Sequence, residues 1–154
     1  SLFLLLLSLI LKKELFFPKK AYLFLTLSIL MAPGLVVNVI LKDNVDRARP
    51  HHIQAFGGDK IFTPAFVVSD QCEKNCSFVC GHASAGFSFI ALALLFTGTL
   101  RHRIMLGAIV LGFGIGLVRI VQGGHFLSDV IFSFFFCYFT IVLLHKWMFR
   151  EERS

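Results

Sequence analysis

Three short stretches of this 154-residue chain gather ionisable side chains at the ends of apolar runs, where a charge near lipid is costly and marks a functional site by default. The richest is VRIVQGGHFLSDV, from Val118 to Val130. Arg119 closes one run, Gly123 and Gly124 turn the chain, and His125 and Asp129 open the next at an i, i+4 spacing. A carboxylate one helical turn from an imidazole is placed to accept its Nδ1 proton, which fixes the tautomer and leaves the other nitrogen free as a nucleophile. A structural His–Asp bond is the alternative, yet burying Asp129 in an apolar helix only to hold a histidine is an expensive way to stabilise a protein in lipid. The second stretch, Phe78 to Phe87, reads FVCGHASAGF. Gly81 permits close backbone approach to a ligand, His82 exchanges a proton near neutral pH, and amides at a helix start favour an anion. In the third, KDNVDRARP, Lys42 and Arg49 stand seven apart, so a helical continuation puts both cations on one face, as suits a phosphate. Read singly, Lys42 is equally a snorkelling interfacial lysine, Arg49 a solvated loop charge, and His82 a hydrogen-bonded structural histidine.

The elements that must carry these residues are membrane helices. With 56% hydrophobic and 16% charged residues, the composition is too apolar for an ordinary soluble domain. Its length accommodates one all-α domain, a polytopic bundle of about five spanning helices over 1–154, since each needs roughly 20 apolar residues. Charge-free runs predict a first helix at 1–11, cut short so that the natural chain is expected to begin upstream, then helices at 21–41, 83–100, 104–121 and 126–145. The 1–11 run also resembles a signal-peptide core, but its positive residues follow it. Between the second and third helices, 42–82 is the one long polar stretch, broken by Pro50, Gly57-Gly58 and Pro64, and is the expected functional loop.

Alternating the helices separates the charges. One side holds Lys12, Lys13, Lys19, Lys20, Arg101, Arg103, Lys146, Arg150 and Arg153 against three glutamates; on the other, lysines and arginines are balanced by acids. The positive-inside rule makes the first side cytoplasmic and turns the long loop outward. No basic stripe interleaved with aromatics supports nucleic-acid binding despite the net charge of +6. Cys72, Cys76 and Cys80 all fall on the outer side, where Cys72 and Cys76 are candidates to pair; free thiols remain open, as does a zinc site, for which the spacing is poor. Gly112, Gly114 and Gly116 lie inside an apolar run, so they are read as helix-packing positions and not as a nucleotide loop.

Together the three stretches resemble the signature of the type 2 phosphatidic acid phosphatase superfamily: K-x6-R-P, then P-S-G-H, then S-R-x5-H-x3-D. Lys42, Arg49 and Pro50 fit the first motif; Gly81 and His82 the second; Arg119, His125 and Asp129 the third. Val79 and Cys80 stand where the second motif has Pro and Ser, and Val118 where the third has Ser, so the phosphate-binding hydroxyl is absent. A thiol at Cys80 is a weaker donor, leaving backbone amides or Ser84 to substitute. The resemblance implies a metal-free, cofactor-free lipid phosphatase. His125 attacks phosphorus, Asp129 orients it, His82 protonates the leaving oxygen, and Lys42, Arg49, Arg119, Gly81 and Cys80 hold the phosphate.

The phrases FGG at 56–58, FTPAF at 62–66 and CEKNCSFVCGHAS are similar to the subset related to bacterial lipid A phosphatases. That likeness implies an inner-membrane protein with its site facing the periplasm and a phosphorylated membrane lipid as substrate. Undecaprenyl diphosphate, phosphatidylglycerol phosphate and phosphatidic acid are competing substrates. The rival classes are a channel or transporter subunit, disfavoured by the nearly unbroken apolar runs at 86–98 and 130–144, and a lipid-phosphate-binding pseudo-enzyme. Oligomeric state is not encoded in any of these patterns.

Overall fold

The structure, a computed structural model, describes residues 17–150. The expected helix at 1–11 lies outside them. Among the described residues every regular segment is helical apart from one isolated bridge between Ile53 and Lys60. Helix α1, Lys19–Leu41, winds as an ordinary α-helix to Ile29 and as a wider π-helix from Leu30 to Leu41. Pro33 sits in that second part. It has no N–H to give and its ring crowds the carbonyl one turn back, which the wider winding relieves. The Asn38 amide side chain donates to the Pro33 carbonyl at 2.6 Å. One further turn, Lys42–Val45, ends at Asp46 in the left-handed conformation (φ 48) and releases the chain into the long loop.

Helix α2, Gly81–Leu94, is apolar but shorter than the others and is interrupted at Ser88 and Phe89. Helices α3, Gly98–Val121, and α4, Leu127–Met148, complete the bundle. Among the described residues α1, α3 and α4 are long and apolar enough to cross a membrane. At 24 residues α3 reaches about 36 Å, beyond the roughly 30 Å of hydrocarbon. The chain is a multi-pass membrane protein built as a helix bundle.

Two boundaries differ from the sequence-based expectation. The run taken as one helix over 83–100 ends at Leu94, and the next helix begins at Gly98, not residue 104. Gly98 takes a positive φ of 59 that lets the chain reverse there, so Arg101 and Arg103 ride on the first turn of α3 instead of standing in a connection.

Small residues set the helix spacing. A Cβ on Gly112 would lie 2.2 Å from the Phe87 ring, and one on Gly116 2.3 Å from a Val130 methyl, so α3 can approach α2 and α4 only through bare backbone. Gly114 would meet nothing within 4 Å, so the packing role belongs to the pair spaced by four. Phe24, Val37, Phe78, Phe87, Ile90, Val130 and Ile141 fill the core between the elements. Phe17 packs edge-to-face on Phe96, and Lys20 lies over Phe149 at 5.0 Å, which gathers the α1 start, the α2–α3 link and the α4 end at one pole of the bundle. The long loop and the α3–α4 turn meet at the other.

Candidate active site

The α3–α4 turn positions the two most informative residues. Gly123 adopts φ +66, and its carbonyl accepts from the His51 backbone N–H at 3.1 Å and contacts His51 Nδ1 at 2.7 Å, so the loop is pinned to the turn. Asp129 lies on the first turn of α4, where its Oδ2 reaches back to accept the Phe126 N–H at 2.8 Å and satisfies an orphan donor of the helix start. The same oxygen accepts the Ser77 hydroxyl at 2.6 Å, and Oδ1 accepts from Arg47 Nη1 at 2.6 Å. A fully buried carboxylate therefore has three donors, one of them cationic and itself only 2% exposed. Arg47 is fixed from every side: Nε donates to the Thr63 carbonyl at 2.8 Å, Nη1 also to Ser128 Oγ at 2.9 Å, and the guanidinium lies 4.1 Å over the Phe126 ring.

His125 is 1% exposed, and its partner differs from the expected one. Nδ1 lies 2.7 Å from the Ser77 carbonyl and 3.7 Å from Asp129 Oδ2. The carbonyl is the hydrogen-bond acceptor, and the carboxylate acts across the longer gap by charge. A carbonyl can only accept, so Nδ1 carries the proton, and the bond that holds it there runs to Ser77 and not to Asp129. Burial pushes the His125 pKa down, yet the Asp129 carboxylate and the Cys80 thiol beside the ring more than offset it, leaving the group above its ordinary value.

Around His82, which is exposed at the start of α2, the structure collects positive charge. Its pKa is lowered by partial burial, then by Arg119, His125, Lys42 and Arg49. Arg49 is lowered by burial and by Arg119 in the same way, while Nε and Nη2 hold the Asn75 carbonyl at 3.1 and 2.8 Å. Arg119 donates through Nη1 to Gln122 at 2.5 Å; its buried Nε has no acceptor among the described residues. Thus Lys42, Arg49, Arg119 and His125 all lie within electrostatic reach of His82, and Arg119 within reach of Arg49. The buried carboxylate nearest them, Asp129, is already neutralised by Arg47.

Gly81 and Cys80 occupy structural positions. A Cβ on Gly81 would fall 2.6 Å from Asn38 Oδ1, so the glycine admits α1 against α2. Cys80 is fully buried; its N–H donates to the Asp129 carbonyl at 3.2 Å, its carbonyl accepts Ser133 Oγ at 2.9 Å, and its thiol faces His125. Ser84 does not stand in for a phosphate donor, because its hydroxyl is committed to the Gly81 carbonyl at 2.7 Å. Cys72 and Cys76 form a disulfide with Cα atoms 5.7 Å apart, which removes two thiolates from the zinc alternative.

Sequence reasoning missed Arg47 and Ser77. A buried acid in an apolar helix demands a cationic partner, a signal that pointed to some arginine or lysine of the loop, whereas nothing local marks Ser77.

The PAP2 superfamily profile matches residues 21–153, across all of these elements. The chain belongs to the PAP2 superfamily. It is 46% identical over 135 residues to a lipid A 4'-phosphatase of Francisella tularensis subsp. novicida, covering 87% of this chain and 61% of that protein. It is 34% identical over 104 residues to a lipid A 4'-phosphatase of Rhizobium leguminosarum, covering 68% of this chain and 45% of that protein. Identity is 38% over 112 residues to a lipid A 1-phosphatase of Rhizobium etli, covering 72% of this chain and 42% of that protein. This chain spans between about four- and six-tenths of the length of these curated relatives. No solved structure matches it.

Proposed function

We propose that this PAP2 superfamily member is a membrane lipid phosphatase acting on a lipid A-type substrate. The observation that carries the reading is the gathering of Lys42, Arg49, Arg119 and His125 around His82, whose pKa is lowered first by partial burial and then by these neighbours, while Asp129 is already paired with Arg47. Such a cluster calls for a dianionic group, and the buried Nε of Arg119 supplies a donor for one of its oxygens. The names of the similar proteins support lipid A over the competing lipids.

His125 Nε2 attacks phosphorus while Nδ1–H stays bonded to the Ser77 carbonyl, so positive charge forming on the ring is stabilised by Asp129 at 3.7 Å. Protonated His82 gives its proton to the departing lipid oxygen, and the arginines and lysine neutralise the equatorial oxygens, where most of the work in phosphoryl transfer lies. Water, with His82 as base, then opens the phosphohistidine. The lysine and arginine excess at the opposite pole supports a site facing the periplasm from the inner membrane.

The test is phosphate release by the purified protein in detergent from lipid A, undecaprenyl diphosphate, phosphatidylglycerol phosphate and phosphatidic acid, with and without EDTA. Release from lipid A that survives EDTA and vanishes in His125→Ala supports the reading. Preference for another lipid reassigns the substrate, and loss in EDTA restored by a divalent ion overturns the metal-free mechanism.

A further inference from the structure

The long loop carries a surface that phosphate chemistry does not use. From Ile61 to Ser69 the sequence IFTPAFVVS has no charge, between Lys60 and Asp70, and most of its apolar side chains face outward. Ile61 is 60% exposed, Phe62 52%, Phe66 55%, Val67 47% and Val68 74%. A contiguous apolar stretch of this kind on a loop marks an interaction surface.

Its placement says what covers it. The stretch is pinned near both ends, by the Thr63 carbonyl on Arg47 at 2.8 Å and by the Ser69 N–H on the Val45 carbonyl at 3.0 Å. Phe66 takes φ +63, an unfavourable backbone for a bulky residue, and its ring packs on Phe78, Phe132 and Phe136 at centroid distances of 5.0, 4.4 and 6.3 Å. Phe132 lies five residues beyond the start of α4, which puts the Phe66 ring about 7–8 Å along a spanning helix, a depth at which interfacial apolar groups sit in a bilayer. The apolar surface of the loop thus runs on into the exposed face of α4, where Leu127, Phe135 and Phe139 are 57%, 43% and 56% exposed. At the other end, Phe62 packs edge-to-face at 5.4 Å on Phe126, the neighbour of His125. The segment joins the membrane-facing side of the bundle to the mouth of the site.

We propose that residues 61–69 form a membrane-inserted lip whose Phe66-Val67-Val68 tip lies among lipid acyl chains and holds the chain of the lipid whose phosphate enters the site. The loop backbone stays at headgroup depth, where water satisfies its polar groups, and only the side chains reach into hydrocarbon. A lip so placed lets a lipid present its phosphate without leaving the bilayer. The second half of this proposal rests on the lipid-phosphatase reading.

Two measurements on the whole protein in phospholipid vesicles test it. Trp147 is the one tryptophan and lies at the far end of α4, so Val68→Trp in a Trp147→Phe background reports the lip alone. Acyl-brominated phospholipids are expected to quench its emission severalfold and aqueous iodide to quench it little; the reverse order overturns insertion. In parallel, Val67→Ser with Val68→Ser is expected to raise KM for a long-chain lipid phosphate roughly tenfold with kcat unchanged, and to leave turnover of para-nitrophenyl phosphate as it was. Equal losses on both substrates, or no loss on either, overturn the substrate-holding role. If the unaltered protein hydrolyses neither compound, the phosphatase reading falls, while the quenching result still decides whether the lip is inserted.

Discussion

Replacing Arg47 with methionine removes a cation from a place where nothing else can do its work. The Asp129 carboxylate is fully buried, and Arg47 Nη1 at 2.6 Å is its charged donor; Ser77 and the Phe126 amide remain but are neutral. Breaking a buried pair by deleting one partner costs about 3–5 kcal/mol, because the surviving charge is stranded. The same change frees the Thr63 carbonyl and Ser128 hydroxyl and forfeits the stack on Phe126. The stranded carboxylate is expected to take up a proton, withdraw its charge from His125, and lower turnover by about 10–100-fold, as loss of an orienting partner does elsewhere. If the cost is a stranded charge, Arg47→Met combined with Asp129→Asn must be milder than the two single changes added, by roughly 1–3 kcal/mol in thermal unfolding in detergent. Strict additivity in that double-mutant cycle, or a single variant as active and stable as the parent, would refute the reasoning.

Isotope-labelled histidine NMR of the free protein should show His82 titrating below 6.5 and His125 above it, with Asp129→Asn bringing His125 down. On the proposed mechanism attack needs neutral His125, so the phosphorylation step should quicken as pH rises through that raised value, and departure needs protonated His82, so a bound phosphate must raise His82 for both forms to coexist; identical titration of the two rings would contradict this. Gly112→Ala should destabilise the protein by about 1–3 kcal/mol by driving a methyl into Phe87, whereas Gly114→Ala, open on all sides, should be neutral or gain up to about 1 kcal/mol in helix propensity; melting curves decide. N-ethylmaleimide should leave the folded protein unlabelled and active, since Cys80 and Cys137 are buried and Cys72 is bonded to Cys76; rapid labelling seen by mass spectrometry would contradict that burial.

What the sequence disclosed and what it hid divide by range. His125 and Asp129 stand one helical turn apart, so their spacing alone brought them together; Lys42 and Arg49 share no helical face, because the helix ends at Val45, Asp46 turns left-handed and Arg49 is extended. The long charge-free runs announced the spanning helices because hydrocarbon admits few alternatives. Arg47 could not be singled out in this way, since its partner Asp129 lies 82 residues away and Asp46, the residue before it, offers a nearer acid. The Ser77 carbonyl was equally invisible: any residue has one, and only the folded loop brings it to His125. The end of α2 at Leu94 was masked by apolar residues that continue to Phe96, while the turn is made by the backbone of Gly98. Cys80 looked like a replaced phosphate ligand because its motif position is one, yet packing under α4 buries it.

The central claim is that His125 carries the phosphoryl group between lipid and water. Rapid acid-free quenching of the protein during turnover of a radiolabelled lipid phosphate, followed by peptide mapping, tests it most directly. The account predicts a base-stable, acid-labile label on the peptide bearing His125 that is absent from His125→Ala. Turnover with no trapped label, together with inversion of configuration at a chiral phosphorus, would show a single direct attack by water and contradict it.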